Sequence, residues 1–227
     1  MNNYRLGLKP DGSYRDYISW SSFQVWHKNK DEYRRRYYEN ESGFSSQEMA
    51  FGKEVGEMLE NNHESLKHIP RYNTPEYRIE LKCDGYKILA YLDTFCKDTF
   101  AIGEYKTSHT TKDGKVPWTQ KKVNKHRQLD WYSMLVKESL GKVKNEVWLA
   151  WLETDWEENF ITYQGHKFSQ GRRLKLTGKV EIFKRKIYEK DRKKIKKEIE
   201  KTVRAIDKDF RSYELSRKDV SQKKSKT

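Results

Sequence analysis

The run EVWLAWLE at residues 146–153 constrains the fold more than any other stretch of this chain. Its six inner residues are all apolar, in a protein whose residues are 36% charged. An apolar run of that length, without polar alternation, reads as a β-strand buried on both faces. A strand of that kind needs a sheet around it and helices over both sides. The chain therefore belongs to the α/β class, with room in 227 residues for one domain.

The remaining pattern supplies the other elements. Ser21 is a candidate N-cap for a first helix, in which Phe23, Trp26, Tyr33 and Tyr37 recur near helical spacing around a polar Lys-Asn-Lys-Asp turn. A second helix is predicted over 51–62, where Phe51, Val55, Met58 and Leu59 form one stripe. Strands follow at 77–82 and 86–95 around an Asp84-Gly85 turn, then at 100–107 beyond a Lys97-Asp98 turn. Residues 118–140 read as a helix. Thr177-Gly178 reads as a hairpin turn between short strands at 173–176 and 180–187. Ile195, Ile199, Val203, Ile206 and Phe210 form the apolar seam of a last helix, which leaves 214–227 as a basic, disordered tail after a domain spanning 1–213. The expected architecture is a central mixed sheet flanked by helices.

Charge is unevenly placed. Residues 1–166 carry 25 basic and 25 acidic side chains, whereas 167–227 carry 23 basic against 9 acidic, the whole of the net +14. Such a block attracts polyanions, nucleic acid above all, or simply solvates a helix. No run approaches the ~18–20 apolar residues of a bilayer-spanning helix. Cys83 and Cys96 are too few for a disulfide framework or thiolate cage. With no secretion signal at the N-terminus, an intracellular, reduced protein is expected.

The chemistry concentrates in YLDTFCKDTFAIGEYKTS. With a Lys97-Asp98 tip, Phe95 faces Phe100, Asp93 faces Ile102 and Tyr91 faces Glu104. Asp93, Glu104 and Lys106 then share one face of the sheet. Asp93 and Glu104 become diagonal neighbours, roughly 7–8 Å apart at the backbone. Two carboxylates so placed can hold Mg²⁺ or Mn²⁺, with oxygens at about 2.1 Å. The ion would polarise a phosphodiester and lower the pKa of its water, and Lys106 could orient that water or screen the phosphate.

These motifs, taken together, resemble the PD-(D/E)XK nuclease superfamily in its RecB-like and phage-exonuclease branch. SWSSFQVWHKNKDEYRRRYYE resembles the opening helix of that family, and FGKEVGEMLE its glycine-led helix. LDTF…IGEYKTS resembles its Asp…Glu-x-Lys core, and HRQLDWYSML its Gln-x3-Tyr motif. The likeness extends over most of residues 19–211. It implies a restriction-endonuclease-like domain that hydrolyses DNA, as an exonuclease at DNA ends in recombination, repair or phage DNA processing. Asp93 and Glu104 would be metal ligands, the Tyr105 carbonyl a further ligand, and Lys106 the catalytic lysine. Gln128 and Tyr132, four apart and so on one helical face, would border the cleft, with core packing an equal reading for Tyr132.

In one place the chain departs from the family. Where relatives carry a His or Glu four residues after the helix-leading glycine, Gly56 follows Gly52 and offers no ligand. Glu57 falls almost opposite the Val55/Leu59 stripe and Glu54 on its flank, so neither is assigned. Relatives with an iron–sulfur cluster hold it with four cysteines, which this chain lacks. Arg34, Arg35, Arg36, Lys121, Lys122, Lys125 and Arg127 are candidate phosphate contacts or solvated helix faces. Trp118 is a candidate for stacking on a base or for plugging the core, and His126 reads as an ordinary histidine. Without a GxxxxGK[ST] motif, ATP-driven unwinding would need a helicase or recombination partner. No signal specifies an oligomeric state. A non-catalytic nucleic-acid-binding module and a structure-specific endonuclease are the alternatives.

Overall fold

Strand β5 (Glu146–Tyr163) lies inside a six-stranded mixed sheet, and the residues at its centre are buried on both faces. The computed structural model describes residues 4–43, 46–111, 113–163 and 166–224. On one side β5 runs parallel to β4 (Ala101–His109), and on the other antiparallel to β6 (His166–Lys186). Beyond β4 lies β3 (Tyr86–Cys96), paired antiparallel with β2 (Thr74–Cys83). The edge of β3 that faces away from β2 is shared. Strand β1 (Tyr17–Ser19) pairs in parallel with residues 87–89, and β4 takes residues 94–96.

Alternation along β5 assigns the two layers. Val147, Leu149 and Trp151 join the larger core, under α1 (Trp20–Lys28), α2 (Lys30–Tyr37), α5 (Arg127–Leu140) and α6 (Glu189–Lys224). Trp148, Ala150 and Leu152 join a second core with Val55 and Leu59 of α3 (Gln47–Glu60) and with Leu66 of a 3-10 turn at Glu64–Leu66. Both layers are needed because β5 has no polar face. The α6 seam is as the spacing predicts: Ile195, Ile199, Val203, Ile206 and Phe210 are all buried. No helix among the described residues is long and apolar enough to cross a membrane.

Several elements differ from their sequence reading. The first helix is capped by Ser19, not Ser21, because Ser19 and Ser22 cap each other reciprocally. Asn29 ends α1 and caps α2, at the polar turn expected there. The 118–140 helix is two pieces, α4 (Gln120–Val123) and α5, with Trp118 before them. Thr177-Gly178 is not a hairpin turn. It lies within β6 where the register with β5 shifts between Leu152 and Thr154, and Gly178, at φ 89°, supplies the backbone a bulge needs. Helix α6 continues through 214–224, where loss of order was expected, and Glu214 accepts hydrogen bonds from Arg5 and Tyr14. Residues 225–227 of the expected tail lie outside the described residues.

Candidate active site

The β3–β4 turn has four residues, 97–100, rather than two, with Phe100 left-handed at φ 54° and its ring edge-on to Phe95. Thr94 pairs with Gly103, Phe95 with Ile102 and Cys96 with Ala101. The register therefore differs by two from the expected one. A shift of two keeps every side chain on its expected face. Extended by one step, it sets Asp93 directly across from Glu104 instead of diagonal to it. Both carboxylates open with Lys106 onto a cleft of about 1020 Å³ between the sheet and α3.

Each carboxylate has a distinct environment. Asp93 Oδ2 accepts a 2.8 Å hydrogen bond from the Tyr105 N–H. Burial still raises its pKa, against the opposing effects of Lys106 and that N–H. Glu104 is 1% exposed, and its Oε1 forms an ion pair with Lys106 Nζ. Its Oε2 is buried and accepts no hydrogen bond, and the Asp93 carboxyl stands within hydrogen-bond reach of the Glu104 carboxyl. Burial, followed by the negative charge of Asp93, pushes the Glu104 carboxyl up to about 8. Burial disfavours the Lys106 ammonium, but Glu104 and Asp93 outweigh it and hold its pKa above the usual lysine value.

Helix α5 contributes Gln128, which lines the cleft. Its Nε2 donates to the Tyr132 hydroxyl at 2.6 Å. Tyr132 sits behind it, part of the main core, and burial keeps its phenol protonated. The start of α5 is braced by Arg185 of β6, which donates to the His126 carbonyl at 2.8 Å and to Asp130 Oδ1 at 2.5 Å. The Tyr105 side chain leaves on the opposite face, where its hydroxyl donates to the Pro70 carbonyl at 2.7 Å.

Glu76 and Arg71 are among the cleft residues that the sequence reading does not single out, and His126 lies close behind the site. Glu76, an exposed residue, lines the cleft with Asp93, and partial desolvation and then the Asp93 charge raise its pKa. The Asp84-Gly85 turn pairs residue 76 with residue 93, one residue before the strand expected at 77–82. His126 precedes α5, with its Nε2 buried and unpartnered, and burial and then Lys106 depress it to about 4. Its ring packs edge-on against Trp118, which lies on the main core as a plug.

Helix α3 turns Gly52 and Gly56 to the cleft, and a Cβ on Gly56 would meet nothing within 4 Å. Glu57, placed by the sequence reading almost opposite the buried stripe, does line the cleft and pairs with Lys53 at 3.6 Å. Glu54 borders a second cavity instead. The residues lining the cleft include none of the seven candidate phosphate contacts. Arg34 pairs with Asp31 and Asp209, Arg35 and Arg36 with Glu32, and Arg127 with Glu198. Lys122 donates to the Pro117 carbonyl, while Lys121 and Lys125 are exposed on and just after α4. Of the basic excess on β6, Arg172, Arg173, Lys175 and Lys179 pair with acids of β5.

No protein-family model matches the chain, and no curated protein matches it. Solved structures similar to it include the following two. SSO0001 is 14% identical with a TM-score of 0.43, over 85% of this chain and 78% of that one. The protein called "Putative exonuclease" from Eubacterium rectale is 10% identical with a TM-score of 0.49, over 84% of this chain and 80% of that one.

Proposed function

We propose that this protein is a Mg²⁺- or Mn²⁺-dependent deoxyribonuclease of the restriction-endonuclease-like kind, an exonuclease acting at DNA ends. The observation that carries this reading is Glu104. A carboxylate is buried with one oxygen unpartnered, next to a second carboxylate and a lysine, at the floor of an open cleft. An unpartnered carboxylate oxygen is costly unless a ligand completes it.

The donor set fits a hard cation. Asp93 and Glu104 offer carboxylate oxygens, and the Tyr105 main-chain carbonyl would complete the protein ligands. Among the described residues no three His, Cys, Asp or Glu side chains form a ready metal cage. Mg²⁺ keeps several waters of its own and takes one or two carboxylates plus substrate phosphate. When bound, the ion supplies Lewis-acid polarisation of the phosphoryl group and a more acidic water.

The chain's own residues do the rest. The Tyr105 N–H fixes the Asp93 carboxylate at one oxygen, leaving the other free to coordinate. Lys106, held by Glu104, keeps an ammonium at the reacting position, where it offsets phosphate charge and orients the attacking water. Gln128, held by Tyr132, offers an amide to the phosphate from the opposite wall.

Incubation of linear DNA with the purified protein tests this. Degradation is expected with Mg²⁺ and not with EDTA, and Asp93→Asn, Glu104→Gln and Lys106→Ala should each abolish it with the fold intact. Wild-type activity in Glu104→Gln would remove the site assignment. Closed circular DNA should survive; its cleavage would mean an endonuclease. The open wall at Gly56 favours one other reading, a nucleic-acid-binding module on the same fold, which would bind DNA in a salt-dependent way without cutting it.

A further inference from the structure

We propose that the outer face of α6 is a docking surface for the phosphate backbone of nucleic acid, separate from the cleft. It requires neither the cation nor the cleavage chemistry of the cleft.

At 3.6 residues per turn, Lys193, Lys194, Lys197, Lys201, Arg204 and Lys208 fall within an arc of about 100°, which holds no other residue between 193 and 208. That arc lies opposite the buried seam of Ile195, Ile199, Val203, Ile206 and Phe210. All six cations are exposed, and at 1.5 Å per residue they form a ridge about 22 Å long. None of the six lines the cleft. Helix α6 covers the main core, whereas α3, which borders the cleft, covers the second one.

The ridge is not neutralised from within. Among the described residues, none of the six side chains makes an ion pair or donates a hydrogen bond. The acids of the same stretch point to its flanks, and most are engaged inward. Glu198 pairs with Arg127, Asp207 with Arg211 and the Arg5 N–H, and Asp209, just past the ridge, with Arg34. Glu200 lines a side groove with Tyr4, Lys196 and Arg204. On β6, by contrast, Arg172, Arg173, Lys175 and Lys179 are paired with acids of β5. Six like charges on one face repel one another, a cost that a polyanion removes.

The composition of the ridge selects the polyanion. A protein partner needs an apolar or aromatic anchor at the centre of its interface, and the arc has none. An amphipathic helix enters a membrane surface through its apolar face, and that face of α6 is buried in the main core. A phosphate backbone asks only for spaced cations. One strand of a duplex presents a phosphate every ~3.4 Å of axis, so roughly six along the ridge.

Fluorescence anisotropy of a labelled DNA duplex, titrated with the full chain in EDTA over a range of KCl, tests the proposal. The ridge variant is Lys197→Gln/Lys201→Gln/Arg204→Gln/Lys208→Gln. A charge-matched variant, Lys28→Gln/Lys67→Gln/Lys97→Gln/Lys142→Gln, alters exposed sites elsewhere. Glutamine has nearly the helix propensity of lysine, and circular dichroism checks the fold. Wild type is expected to bind, with affinity about 10-fold or more weaker and a salt slope shallower by ~2–4 in the ridge variant. The milder Lys193→Gln/Lys194→Gln should show a smaller loss of the same kind, and the charge-matched variant should bind like wild type. Equal losses in the ridge and charge-matched variants, or wild-type affinity and slope in the folded ridge variants, would overturn the ridge. Wild type that binds no duplex, or that cosediments with phosphatidylserine vesicles instead, would overturn the choice of partner. EDTA keeps cleavage out of the readout, so the nuclease reading and this one can fail separately.

Discussion

Lys106 forms an ion pair with only one oxygen of Glu104, and the other oxygen is buried with no partner. This half-completed pair has a thermodynamic signature. The Glu104 carboxyl titrates at about 8 in the folded protein against an ordinary 4.5. Between those values the folded state holds a proton that the unfolded chain has released, so stability falls as pH rises from about 4.5 to about 8. In EDTA, Glu104→Gln should flatten this fall in Tm between pH 5 and pH 8. An unchanged slope in the variant would show that Glu104 is not the group responsible.

His126 slopes the other way. Its ring titrates near 4 when folded against 6.5 ordinarily, so the unfolded chain binds the proton first. The stability it contributes is present above pH 6.5 and is lost as pH falls toward 4. His126→Phe keeps a ring against Trp118 and removes the unpartnered nitrogen. Its Tm should exceed that of wild type at pH 4.5 by more than at pH 7.5. Equal differences at both pH values would count against a buried neutral imidazole.

Gly103 and Gly56 should respond oppositely to alanine. A Cβ on Gly103 would stand 2.2 Å from Trp148 Cζ2, inside the second core. Gly103→Ala should therefore cost about 1–3 kcal/mol by overpacking. Gly56, within α3 and facing open space, should gain roughly 0.5–1 kcal/mol as alanine through helix propensity. Urea denaturation of both variants measures the contrast, and a destabilised Gly56→Ala would place an unseen neighbour on that wall.

Arg185 and Asp130 are both largely buried, with side chains 9% and 12% exposed, and they join β6 to α5. Removing one partner strands the other charge, at a cost of about 3–5 kcal/mol. Asp130→Ala should lose that much in denaturant melts. Because Arg185 also holds the His126 carbonyl beside Gln128, the variant should lower DNA cleavage even at temperatures where it stays folded.

What the sequence disclosed depended on parity and local spacing. The α6 seam was visible because 4, 4, 3 and 4 residue steps admit one reading. The shared face of Asp93 and Glu104 survived a misplaced turn because the register moved by two residues, whereas a shift of one would have reversed it. Glu76 lies outside the expected strand because β2 begins at Thr74, three residues before the expected start at 77. The misread turn at Gly178 has a simple cause: a glycine at positive φ serves a bulge as well as a hairpin. Arg34 shows the other limit, since its partner Asp209 is 175 residues away. No charge pattern within the first helices could reveal that pairing.

Anomalous diffraction from a crystal of the full chain soaked in Mn²⁺ tests the central claim most directly. The account predicts a peak at about 2.1–2.2 Å from a carboxylate oxygen of both Asp93 and Glu104. A protein that cleaves DNA while that position shows no anomalous density, with Glu104 still bonded to Lys106 alone, would contradict it.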